Sequence, residues 1–195
     1  MIARTAANYS AFGTHAYLEA RGFSATGERT GGILQPREVL IPASSVLFRL
    51  YDGVVAGPNG RWWTTPHELD VLLRSAGHTR LDLGAVEGRS LLHGLLAVIP
   101  EWGNKMTFCT AIQLALPLGA YYGESDDATL GATGGRKAGW VLEDGKQRRA
   151  RQLFIPGFAA VESAATIRIV SGVQTGTNLP RMLAQRGTSP LHFEQ

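Results

Sequence analysis

Arg49, Arg61, Trp62, Trp63, Thr64 and Thr65 stand close together in VLFRLYDGVVAGPNGRWWTTPHE, the segment from Val46 to Glu68. Guanidinium groups clamp phosphate, indoles stack on planar rings, and hydroxyls fix orientation by hydrogen bonding. Such a set suits a flat, anionic ligand, and a nicotinamide dinucleotide is one. The same residues also suit an ordinary β-hairpin in which the aromatics fill a core and Arg61 reaches out to water. Arg49 separates the two readings. A charge inside the run VLFRLY needs a carboxylate or phosphate partner if its face is buried, and nothing if that face is exposed.

The elements that must hold these groups can be read from pattern and punctuation. Val39 to Ile41 and Val46 to Tyr51 read as strands, bounded by Pro42 and by Asp52-Gly53. Thr65-Pro66-His67-Glu68 is a capping box with proline at the first helical position, and Leu69, Leu72, Leu73 and Ala76 follow at helical spacing. A helix is therefore predicted over residues 66–76, closed by Gly77. It makes Trp62 to Thr64 a strand or loop that delivers the chain into a helix N-terminus, where free amides favour an anion.

Elsewhere the pattern is plainer. Ala11 to Ala20 suits a short helix within a polar, Gly/Thr-rich stretch, residues 1–35, expected to be peripheral to a core over 36–195. Thr79 to Leu83 suits a strand and Arg89 to Ile99 a second helix. Met106 to Leu116 alternates as a long half-buried strand, with Met106, Phe108, Ile112, Leu114 and Leu116 on one face. The polar segment from Gly123 to Gly135, with Asp126 and Asp127, reads as a mobile loop. Ala138 to Leu142 and Gln152 to Ile155 read as strands flanking a charged connection, Ala165 to Val170 as the last strand, and Leu179 to Gln185 as a final short helix. These elements add up to one α+β domain with a twisted, largely antiparallel sheet and short flanking helices.

The chain has 195 residues, 44% of them hydrophobic and 18% charged, which excludes a disordered segment. Its 24 glycines and 9 prolines favour many turns and short strands over a helical bundle. One cysteine, Cys109, excludes an internal disulfide and a cysteine metal cluster, and suits the small face of a strand better than a nucleophile. The five histidines, His15, His67, His78, His93 and His192, show no metal-ligand spacing, so no metal is expected. The first residues lack the apolar core of a signal peptide, and no apolar run is long enough to span a membrane. Lys146-Gln147-Arg148-Arg149-Ala150-Arg151 is a basic cluster without interleaved aromatics, which argues against nucleic acid and suits a solvated hairpin, an anionic dinucleotide or an acidic protein.

A strand arginine followed by Gly-Arg-Trp-Trp-Thr-Thr-Pro resembles the start of ADP-ribosyltransferase-fold toxin domains. It is similar above all to the NAD glycohydrolase branch that includes the tuberculosis necrotizing toxin and related polymorphic toxins. LALPLGAYYGES resembles that family's central strand, and GGRKAGWVLEDGKQRRARQLFIP its Gly-Gly segment followed by a glutamine and an apolar strand. Gly134-Gly135 stands farther from Gln152 than in a compact Gly-Gly-x-Gln motif, and no Glu-x-Glu is present.

The resemblance implies a split-sheet fold and NAD as substrate. It makes Arg49 the phosphate clamp, sets Trp63 and Thr64 against nicotinamide, and puts Gln152 at the position of the catalytic polar residue. Arg61 is a second clamp candidate. Glu143 is the carboxylate alternative to Gln152, ahead of Glu101 and Glu124, each of which also suits a surface or turn position. Glutamine is not a general base, so hydrolysis through an oxocarbenium-like state fits better than transfer to a protein side chain. The implied partners are an inhibitor (immunity) protein or a protein acceptor. The implied site of action is cytoplasmic, reached through a secretion system that needs no cleavable signal. The other reading is a non-catalytic α+β interaction protein, such as a virion or accessory component, which docks through the basic hairpin or exposed aromatics.

Overall fold

The computed structural model describes residues 5–23, 30–51, 59–75, 108–130, 134–136, 138–169 and 173–174. The expected strand at 79–83 and helices at 89–99 and 179–185 lie outside them.

Within the described residues the chain is α+β, with antiparallel sheets and short helices. The organising strand is β6, Leu118–Leu130. Along one edge run β2, Arg37–Ile41, and then β1, Thr30–Ile33. Four steps from Arg37 back to Ile33 match three from Tyr122 on to Ser125, so the register slips by one residue between them. On the other edge lie β7, Gly134–Arg136, and β10, Arg151–Phe154. Beyond β10 comes β4, Trp62–Trp63.

A second sheet is built on β5, Phe108–Leu114, flanked by β3, Val46–Tyr51, and by β11, Thr166–Ile169, and β12, Val173–Gln174. Among the described residues a single bridge, Phe48 with Thr64, joins the sheets through two backbone hydrogen bonds of 2.8 Å. β8, Trp140–Glu143, and β9, Lys146–Arg149, form a separate hairpin around Asp144 and Gly145, both at positive φ.

β10 is covered on both faces. Leu153 joins Trp63, Leu47, Ile112, Leu114, Leu118 and Phe158 in one cluster, while Phe154 joins Ala16, Ala20, Ile33 and Tyr121 in another. Helix α1, Thr14–Ala20, caps the second cluster with Ala16 and Ala20 one turn apart. Helix α2, Pro66–Ser75, has the predicted cap, the Glu68 amide donating to Thr65 Oγ1 at 3.1 Å, and buries Leu69, Val71 and Leu72. Helix α3, Phe158–Ala165, was not anticipated, because FAAVESAA carries no cap signal.

Several expectations change. The stretch from Gly123 onward, expected as a loop, is half of β6 up to Leu130. Its Ser125 and Asp126 are buried, and Asp127 accepts from Arg149 Nη1 at 2.8 Å and the Ala138 amide at 3.0 Å. The two aspartates that made it read as a loop are thus internal partners. The charged connection is strand β9. The N-terminal stretch, expected as peripheral, is woven in by β1, α1 and Asn8. That side chain is 1% exposed, donates to the carbonyls of Gly119 and Pro156 at 2.9 Å each, and accepts from the Gly119 amide at 2.8 Å. Close approach explains Gly22. At φ 76 a Cβ there would lie 1.0 Å from the Gly31 carbonyl oxygen, which lets the end of α1 touch β1.

The expected strand at Met106 to Leu116 ends earlier, at Leu114, and Leu116 is exposed; residues 106 and 107 lie outside the described residues. Asn8→Ala removes three buried hydrogen bonds at once. Urea unfolding should show it less stable by about 2–4 kcal/mol, with β-sheet content retained.

Candidate functional site

Arg49 lies on the face of β3 that also carries Leu47. Continuing the register from the Phe48–Thr64 bridge sets Arg49 beside Trp63, and the row goes on through Leu153 and Tyr122 to Arg37. Past that bridge β3 and β4 stop pairing, and the Arg49 guanidinium enters the gap. Its Nη1 donates to the Trp62 carbonyl at 2.8 Å.

Arg49 is only 9% exposed, and burial pulls its pKa down from 12.5 to about 10. It remains charged at neutral pH. Gly60 permits this placement, because a Cβ there would sit 1.9 Å from Arg49 Nη2. Trp63 is 2% exposed, packs against Phe158 at 4.9 Å between ring centres, and donates from Nε1 to the Gly60 carbonyl at 2.8 Å. Its geometry positions Gly60, and through Gly60 the guanidinium.

Thr64 and Gln152 share the opposite face of the sheet. Thr64 is 5% exposed, and its Oγ1 has no hydrogen-bond partner among the described residues. One further step of the β4–β10 register brings Gln152 alongside it, with Gln152 Nε2 donating to the Gly32 carbonyl at 2.9 Å. Phe154 follows on that face, with Trp62 edge-on at 4.9 Å and the Arg61 guanidinium 5.5 Å from its ring centre. Arg61 Nη1 donates to both carboxylate oxygens of Glu19, on α1, at 2.6 Å each. Sequence reasoning passed over Glu19, since nothing in THAYLEA announces which strand it meets.

Glu143 stands with neither set. Its Oε1 meets His67 Nε2 at 2.6 Å, and its Oε2 accepts from Arg148 Nε at 2.5 Å. Those contacts, Arg148 first, hold its carboxyl well below the usual range, at about 2, against a smaller opposing effect of burial. Arg148 also forks onto Glu68, Nη1 to Oε1 at 2.6 Å and Nη2 to Oε2 at 2.8 Å, and Glu68 Oε1 accepts the Arg151 amide at 2.8 Å. With Glu68 at 1% and Arg148 at 7% exposure, this pair is buried.

Two arginines of the basic run are therefore committed within the fold, while Lys146 and Gln147 are exposed. Arg148 clamps α2 to the hairpin, Arg149 serves Asp127, and Ser75 Oγ meets the Leu142 amide at 2.8 Å. The Asp144-Gly145 turn was the available signal. It sets Val141 opposite Arg148 and Glu143 opposite Lys146, so Glu143 and Arg148 fall on one face.

A buried ion pair that loses one member leaves an uncompensated charge, so Glu68→Ala should cost about 3–5 kcal/mol in chemical denaturation. Because the folded pKa of Glu143 is depressed, its contribution is complete above the ordinary value near 4.5 and is lost as pH falls towards 2. Denaturation midpoints measured across that window should fall less steeply in Glu143→Gln than in the parent.

Among the described residues no group of three or more His, Cys, Asp or Glu side chains could hold a metal ion, and no helix is long and apolar enough to cross a membrane. A scan against protein-family models finds no match for this chain, and searches of the curated proteins and of the solved structures find none either.

Proposed function

We propose that this chain cleaves NAD, as a glycohydrolase of the ADP-ribosyltransferase type. One observation carries the reading. The three segments singled out by their chemistry, VLFRLY, Arg-Trp-Trp-Thr and Gln-Leu-Phe, are consecutive neighbours β3, β4 and β10, although Gln152 is far from Arg49 in sequence. Arg49 starts from the face opposite Thr64 and Gln152, but its guanidinium enters the plane of the sheet at the Trp62 carbonyl, and that gap between β3 and β4 is the assigned position of the pyrophosphate. A buried guanidinium whose charge is already costly gains from an anion placed against it.

Thr64 and Gln152 are assigned to the nicotinamide ribose, and Trp63 holds the floor of the gap. Cleavage breaks the bond between the anomeric carbon and the nicotinamide nitrogen, the pair leaving with nicotinamide. Water adds to the oxocarbenium-like carbon and loses a proton to solvent. Gln152 takes no proton. Its amide orients the water or a ribose hydroxyl, which matters because a misplaced reactant costs orders of magnitude in rate.

Purified protein incubated with NAD should release nicotinamide. Arg49→Ala and Gln152→Ala should each lower kcat/KM by about 10²-fold or more while leaving circular dichroism unchanged. Gly60→Ala should push the guanidinium aside and raise KM more than it lowers kcat. Undiminished turnover in folded Arg49→Ala rules the assignment out.

A different observation favours a docking role. Trp140 and Leu142 are 61% and 57% exposed on the outer face of β8, with the Arg149 guanidinium 5.9 Å from the Trp140 ring centre. Exposed apolar side chains grouped beside a cation suit a protein partner. If this is the chain's main role, a complex should co-purify with the parent, Trp140→Ser should dissolve it, and neither should consume NAD.

A further inference from the structure

We propose that Glu19 is a built-in competitor for the anion that Arg61 binds, so that α1 sets the selectivity of the site for phosphate groups. The inference rests on the reading that Arg61 serves as a phosphate clamp. An arginine fork normally places one nitrogen on each carboxylate oxygen. Here both hydrogen bonds of the pair come from Nη1, at 2.6 Å, and the rest of the guanidinium lies out of the pair. The Arg61 side chain is 50% exposed and that of Glu19 26%, so the pair is solvated and weak enough for a ligand to displace.

The aromatic surroundings hold the guanidinium in place at the surface. The guanidinium lies over Phe154, Trp62 stands edge-on to that ring, and Gln152 is two residues earlier on the same face. Glu19 thus places a carboxylate where an anionic ligand would put its oxygens. The His15 ring also approaches the same carboxylate, with Nε2 at 3.9 Å from its Oε1. A dianionic phosphate offers Arg61 more charge than a carboxylate, whereas a monoanion of carboxylate size offers no advantage over Glu19. Selection for phosphate follows.

Calorimetric titration with inorganic pyrophosphate, and separately with NAD, tests this in the parent, Glu19→Gln, Arg61→Gln and the double variant. Glu19→Gln keeps the size of the side chain and removes the competitor. It should tighten pyrophosphate binding roughly 2–5-fold, with a steeper loss on adding salt, and the gain should vanish when Arg61 is also replaced. Unchanged or weaker binding in Glu19→Gln, or no binding by any variant, overturns the inference. The two readings separate cleanly. Tighter pyrophosphate binding without nicotinamide release keeps the competitor and removes NAD cleavage, while nicotinamide release unaffected by Glu19→Gln does the reverse.

Discussion

The buried carboxylate of Glu68 is the joint on which the described structure turns. It sits in the first turn of α2, immediately after the tryptophans, and receives the Arg148 fork and the Arg151 amide. Taking two charges out of water costs several kcal/mol for each ion, which only close, multiple hydrogen bonds offset. That requirement fixes three elements against one another: helix α2, hairpin β8–β9 and the start of β10. Because β4 runs directly into α2, the same joint sets where Trp62, Trp63 and Thr64 lie relative to Gln152. The capping box is half used as a consequence. Thr65 caps the helix, but the glutamate that would reach back across the box is committed to Arg148 and Arg151.

The other constraint is the bridge between the sheets. Phe48 and Thr64 pair, and beyond them β3 and β4 part. Had the ladder continued, the Trp62 carbonyl would have met a backbone amide. It meets the Arg49 guanidinium instead. A charged side chain thus satisfies a backbone acceptor at the place where the two sheets separate, and glycine at position 60 leaves it room. The buried indole of Trp63 braces that glycine. Trp63 thus serves the fold itself, and its substitution disturbs Gly60 and Arg49 together.

Local physics made much of this legible in the chain itself. The helix after the tryptophans was readable because Thr65, Pro66 and Glu68 each favour a helix start for a separate reason, and the strand from Val46 to Tyr51 because β-branched and aromatic residues lie between turn signals. The chemical character of Arg49, Arg61, Thr64 and Gln152 was likewise a matter of side-chain type. The loop expected after Gly123 failed for the converse reason. Asp126 and Asp127 are turn formers by local preference, yet Arg149 and neighbouring amides donate to their carboxylates in the fold.

Residue types and short spacings determined which groups can carry charge, stack or cap, and which segments start helices and strands, since those depend on a few neighbouring residues. Tertiary structure alone decided which of them meet. It gave Arg49 and Trp63 one face and Thr64 and Gln152 the other, withdrew Glu143 into the His67–Arg148 network, and brought Glu19 to Arg61. The physical reason is that faces and partners follow from register between strands distant in sequence. Register is fixed by the whole set of buried side chains acting together, and no short stretch of chain contains it.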